Sequence, residues 1–137
     1  MVRVTFDSNV FISALNFSGT PARLLKLAEE AAFALQISQP ILDEVLEVLE
    51  RKFGWPRERI DYARRALSDI SQAVLPHVAL DVVKRDVSDN RILECAQASR
   101  SDYIVTSDKD LLDLKVHEGA DIINPDDFLV LLRQRGR

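Results

Sequence analysis

Val2, Val4 and Phe6 alternate with Arg3 and Thr5, the period of a short half-buried strand. The run stops at Asp7-Ser8-Asn9, residue types that favour helix starts, and Val10 to Leu15 reads as a short helix. Thr20-Pro21 pairs a cap with a proline suited to the first helical turn, and the leucines and alanines of Ala22 to Ala32 predict a second helix. Phe33 to Ile37 is a second strand. Ser38-Gln39-Pro40 then opens a helix to about Phe53, which Gly54-Trp55-Pro56 breaks. A helix over Arg57 to Gln72, a β-branched stretch from Ala73 to Leu80 and a helix over Ser88 to Arg100 follow. Asp102 to Thr106 is a strand, Ser107 to Leu114 a short helical turn and Ala120 to Ile123 a last strand. Asn124-Pro125-Asp126-Asp127 starts a final helix that Phe128 to Leu132 completes, with acids complementing the helix dipole. Strands alternating with helices predict an α/β fold, a three-layer α/β/α sandwich around a mostly parallel sheet. Ligands in such folds bind beyond the carboxyl ends of the strands, so the residues just after each strand carry the most information.

Length and composition narrow this picture. A chain of 137 residues, 47% hydrophobic and 29% charged, is expected to form one domain over residues 1–137. With 18 basic and 22 acidic residues the net charge is −4, which excludes a basic tail-type nucleic-acid binder but not an enzyme acting on nucleic acid. Cys95 is the single cysteine, so neither an intrachain disulfide nor a cysteine-based zinc site can form, and a reducing, cytoplasmic location is expected. His77 and His117 fall in no metal-binding pattern. The first residues break every apolar run with a charge, so neither a signal peptide nor a membrane association is expected.

The carboxylates are less evenly spread than a solubility role requires. Asp7 follows the first strand and Asp108 follows the strand ending at Thr106; each is also a natural helix cap. On the helix that begins near Pro40, Asp43, Glu47, Glu50 and Arg51 share a solvent face, whereas Glu44 lies beside Val48 at its border. For Glu44 that pattern alone favours an ordinary flank residue. Asp89 precedes Ile92 and Leu93 by three and four positions and so lies on the packing side of its helix. Gathering such residues costs repulsion unless a cation joins them. Oxygen ligands without histidine or cysteine suit Mg²⁺ or Mn²⁺, whose chemistry at phosphate esters is to neutralise charge and acidify water.

Four stretches in this order resemble the PIN-domain nucleases, and among them the VapC-like toxins of prokaryotic toxin–antitoxin pairs. They are Val4-Thr-Phe-Asp-Ser-Asn-Val-Phe-Ile-Ser-Ala-Leu15, Ser38-Gln-Pro-Ile-Leu-Asp-Glu-Val45, Asp86-Val-Ser-Asp-Asn-Arg-Ile-Leu-Glu94 and Asp102-Tyr-Ile-Val-Thr-Ser-Asp-Lys-Asp-Leu-Leu112. Ile122-Ile-Asn-Pro-Asp-Asp-Phe128 also fits. The resemblance implies an acidic pocket and Mg²⁺- or Mn²⁺-dependent hydrolysis of RNA by an activated water. It also implies a small antitoxin partner and a homodimer. Asp7, Glu44, Asp89 and Asp108 match the family's acidic quartet, with Asp7, Asp89 and Asp108 as metal ligands and Glu44 bound directly or through water. Asn9 matches a residue that steadies the first aspartate, and Ser107 and Asp110 flank the last. Val87 stands where the family often has proline, and Ser107 where it often has glycine.

An acidic pocket repels phosphate, so the substrate must be gripped elsewhere. Lys109, Arg57, Arg59, Arg64 and Arg65 are candidates, as are Arg133, Arg135 and Arg137, although a solvated helix face explains any single arginine better. Trp55 and Cys95 are expected to pack. Two other classes were weighed. A receiver-type signalling domain needs an aspartate after a central strand, where this chain has Ser38. A catalytically silent relative acting as a binding or dimerisation module would not need the quartet.

Overall fold

The computed structural model describes residues 1–80 and 87–135. In chain order the elements are β1 (Arg3–Phe6), α1 (Ser8–Asn16), α2 (Thr20–Glu29), β2 (Ala34–Ser38), α3 (Gln39–Arg51), α4 (Arg57–Ile70) and β3 (Gln72–Val74). They continue with α5 (Val87–Ser99), β4 (Tyr103–Val105), α6 (Lys109–Leu114), β5 (Val116–His117), β6 (Ala120–Ile123) and α7 (Pro125–Arg135). The strands form one sheet in the order β3-β2-β1-β4-β6-β5, parallel except where β5 pairs antiparallel with β6. The expected α/β sandwich with a mostly parallel sheet is therefore present.

The alternation read in β1 separates the layers. Val4 and Phe6 point to one face, where Phe6 meets Phe11 of α1 at 5.3 Å between ring centroids and Phe33 at 5.9 Å. Phe33 in turn meets Phe128 of α7 at 5.4 Å, and Tyr103 of β4 meets Phe128 at 5.6 Å. These tilted and edge-on pairs fasten α1 and α7 to the central strands. Thr5 points to the other face, where its hydroxyl lies against the Cys95 thiol of α5 and shares a hydrogen bond with Ser101 at 2.8 Å.

α3 shows how local chemistry sets a boundary. The Ser38 hydroxyl accepts from the Ile41 N–H, a proline occupies the first turn, and Ile41, Leu42, Val45, Leu46 and Leu49 are buried. The helix ends before Gly54, whose φ of 64° suits glycine. Trp55 is buried there; its indole N–H donates to Asn16 at 3.0 Å and the Arg59 guanidinium lies 3.9 Å over its ring.

Three expectations differ from the structure. The strand expected over Ala73 to Leu80 is confined to Gln72–Val74, paired with β2. β5 was not anticipated: two residues give no periodicity, and the turn through Glu118 and Gly119, both at positive φ, creates it. Arg133 and Arg135 lie near the beginnings of the parallel strands, where they border depressions with Val2 and, for Arg135, Asp102 and Tyr103. That is the end of the sheet opposite Asp7 and Asp108, so the structure does not bring these two arginines to the strands' carboxyl ends. Arg137 and Asp86 lie outside the described residues.

Candidate metal centre

β1 and β4 are hydrogen-bonded neighbours with Phe6 opposite Val105, so the residues that follow them emerge side by side. The Asp7 N–H donates to the Val105 carbonyl at 2.9 Å, carrying the ladder one step past β1. Asp7 then caps α1: its Oδ1 accepts from the Asn9 N–H at 3.3 Å. Asp108 caps α6, its Oδ1 accepting from the N–H groups of Asp110 at 2.7 Å and Leu111 at 3.4 Å. Capping and clustering are thus the same arrangement, because two adjacent strands each lead into a helix through an aspartate.

Asp89 completes the group from the first turn of α5, in the layer covering the Thr5 face. Asp7 is 4% exposed and Asp89 3%, while Asp108 is half-buried. One carboxylate oxygen from each of the three lies within 4.8 Å of the others. Oxygens sharing one Mg²⁺ at about 2.1 Å stand roughly 3–4 Å apart, so small side-chain rotations bring this set to coordination distance. The donors are all hard oxygens, which fits Mg²⁺ or Mn²⁺ and disfavours zinc.

Glu44 is half-buried on α3, and its Oε2 accepts from the Ser8 hydroxyl at 2.5 Å. It is close enough to Asp7 for their charges to repel. The structure thus places Glu44 near Asp7 and ties it to α1 through Ser8, outside the group of three aspartates whose oxygens lie within 4.8 Å. Asn9 is exposed and reaches Asp7 through its backbone N–H. Asp110 is half-buried and likewise contributes a backbone N–H, to Asp108, whereas Ser107 is exposed.

The residue that steadies the first aspartate most directly is one the sequence reading passed over. Thr106 is fully buried; its hydroxyl donates to Asp7 Oδ2 at 2.6 Å and accepts from the Asp108 N–H at 2.9 Å. One hydroxyl therefore ties two carboxylate-bearing residues together. Ser8, the anchor of Glu44, was missed in the same way. The available signal was a hydroxyl residue next to each strand-end aspartate in sequence, Asp7-Ser8 and Thr106-Ser107-Asp108.

Electrostatics follow from this packing. Burial raises the pKa of Asp7 above its ordinary value, the hydrogen bonds from Thr106 and Asn9 oppose the rise, and repulsion from Asp108 and Glu44 adds to it. A divalent cation among these groups would reverse the repulsion, which is the sense in which the acids fit one.

The basic residues proposed to grip substrate are dispersed. Lys109 is exposed at the start of α6, bonded to Asp113 at 2.9 Å. Arg64 pairs with Asp61 at 2.8 Å, Arg57 is exposed at the start of α4, and Arg65 borders a hollow with Tyr62 and Asp69. The structure does not bring Arg57, Arg64 and Arg65 to the acids through any of these contacts.

No curated protein matches the chain. A family model described as PIN domain matches residues 3–110, a span that runs from the first residue of β1 past Asp108 and so contains all four acids. Members of that family are typically metal-dependent nucleases with acidic metal sites. An acidic cluster built where two parallel strands enter their helices and the match across most of the chain lead to one conclusion: the chain belongs to the PIN-domain family.

Proposed function

We propose that this protein is an Mg²⁺- or Mn²⁺-dependent endoribonuclease that hydrolyses RNA phosphodiesters. The observation that carries the reading is the convergence of Asp7, Asp89 and Asp108 within 4.8 Å at the carboxyl end of the sheet. These three would hold the cation, and Glu44 would join them directly or through water. When bound, the cation supplies neutralisation of charge at the phosphate and a lowered pKa for water. The chain's own residues prepare that site. Thr106 favours the ionised form of Asp7 by donating to it, and Ser8 fixes the Glu44 carboxyl in place by donating to its Oε2. The two caps fix the backbone on which Asp7 and Asp108 stand.

We extend the reading to a cytoplasmic toxin that acts as a homodimer and is neutralised by a small antitoxin; its support is the likeness of the four motifs to VapC-like toxins. The test is cleavage of end-labelled single-stranded RNA with Mn²⁺, with Mg²⁺ and with EDTA. Wild type is expected to cut only with metal, and Asp7→Asn to lose at least about 100-fold in rate. Full metal-dependent activity in Asp7→Asn would refute the assignment. Expression of the wild type should arrest growth and Asp7→Asn should not; growth unaffected by an active nuclease would remove the toxin role and leave the enzyme.

A further inference from the structure

α1 and α3 lie side by side and run in the same sense, as one contact between them and two formed just past their ends show. Near the start of α1, Ser8 bonds Glu44; at its end, Asn16 accepts from Trp55, and Phe17 meets Phe53 edge-on at 6.2 Å. The seam that begins at the acidic site therefore ends at an aromatic pair. Nine helical steps separate Ser8 from Phe17, about 14 Å at 1.5 Å per residue.

That pair differs from the other ring contacts of the fold. Phe6, Phe11, Phe33 and Phe128 are fully enclosed, whereas Phe17 is 60% and Phe53 42% exposed. Two exposed phenyl rings in contact form a local apolar patch at this end of the seam. A cation is linked to the pair through Trp55: Arg59 lies over the Trp55 ring, whose indole is bonded to Asn16, the residue preceding Phe17. Lys52 precedes Phe53 and is exposed. Arg51 offsets Glu47 along the intervening helix at 3.2 Å. Exposed flat rings with adjacent cations match the chemistry of an unpaired nucleotide, whose base stacks and whose phosphate is anionic.

We propose that Phe17 and Phe53, with Arg59, form a stacking platform for single-stranded RNA, which holds the strand a few nucleotides from the phosphate at the acidic site. The assignment rests on the ribonuclease reading for its substrate, and it adds a source of grip that the dispersed arginines do not supply. It also selects unpaired RNA, because bases inside a duplex present no free face to a ring.

The test uses the full chain in EDTA, so that binding is separated from cleavage. Fluorescein-labelled oligouridylate of about twelve nucleotides is titrated by anisotropy, and the emission of Trp55, the single tryptophan, is followed in the same titration. Wild type is expected to bind with a change in Trp55 emission. Phe17→Ala with Phe53→Ala should weaken binding by at least about tenfold and abolish the emission change. The Tyr pair, Phe17→Tyr with Phe53→Tyr, should retain it, and the Leu pair should not. Circular dichroism melts confirm that each variant folds. Affinity of the Ala pair within twofold of wild type overturns the platform, as does full affinity in the Leu pair. A change of oligomeric state in the Ala pair, with oligonucleotide affinity intact, would identify a protein contact instead and also overturn it. With Mn²⁺ added, failure of the wild type to cut any RNA would sink the ribonuclease reading while the anisotropy result still decides the platform.

Discussion

Replacing Thr106 with valine keeps the shape of the side chain and removes one hydroxyl. That hydroxyl donates to the Asp7 carboxyl group at 2.6 Å and accepts from the Asp108 N–H at 2.9 Å, with no solvent access to take over either bond. A hydrogen bond to a charged group contributes about 1.5–3 kcal/mol and a neutral one about 1 kcal/mol. Thr106→Val should therefore destabilise the metal-free protein at neutral pH by about 2–4 kcal/mol. The loss should depend on pH in a direction fixed by Asp7. Its pKa in the folded chain already lies above the ordinary value of 3.8, chiefly through burial, so the fold binds that proton more tightly than the unfolded chain does. Stability therefore rises as pH falls from above the folded-state value toward 3.8. In the valine variant Asp7 loses its strongest support for ionisation, so this rise begins at higher pH and is larger. The difference between the two proteins should shrink on acidification, toward the roughly 1–2 kcal/mol that neutral hydrogen bonds represent. Urea unfolding in EDTA, followed by Trp55 emission at a series of pH values, measures it. A difference that stays constant across the series would refute the reasoning, because it would mean that Asp7 is not ionised against Thr106. Thr106→Ser, which restores the hydroxyl, should recover most of the loss.

Three further outcomes follow from the same geometry. Saturating Mg²⁺ or Mn²⁺ should raise the melting temperature of the wild type, by an amount equivalent to about 2.7 kcal/mol at a hundred times Kd, and should leave Asp89→Asn unchanged in differential scanning fluorimetry. Cys95 is fully buried, with burial pushing its thiol up to about 11, so a thiol reagent at neutral pH should modify it only on unfolding; rapid labelling of the native protein would contradict its enclosure. Trp55→Phe gives up the bond to Asn16 and part of the attraction to Arg59, and should cost about 1–3 kcal/mol in urea unfolding without altering cleavage of a dinucleotide.

The acids at strand ends were legible because two local rules coincide there. Period-two alternation ended the strands, and capping chemistry placed aspartate in the next turn, so Asp7 and Asp108 could be located before their strands were known to be neighbours. Asp89 was legible from helical spacing. Thr106 and Ser8 were not, because each makes its decisive bond to a residue 99 or 36 positions away, while locally a threonine after a strand and a serine in a first turn are unexceptional. The wheel alone favours a flank residue at Glu44, and only the family resemblance groups it with the acids, because a wheel shows which side a residue faces but not what stands opposite. The placement of Arg133 and Arg135 depends on where α7 crosses the sheet, and the sequence of α7 alone carries no record of it.

The sheet has two margins, and their lengths have a consequence for how this protein can associate. β3 contributes three residues to one margin and β5 two to the other, the latter turned against the direction of every other strand. Among the described residues neither margin presents a long row of unsatisfied peptide groups, the template on which separate chains merge their sheets or begin fibrils. Association of these margins by strand addition would yield two or three residues of ladder, too few to hold two molecules together. Any association of the described surface would then fall to helices and side chains, where shape and charge can discriminate between partners.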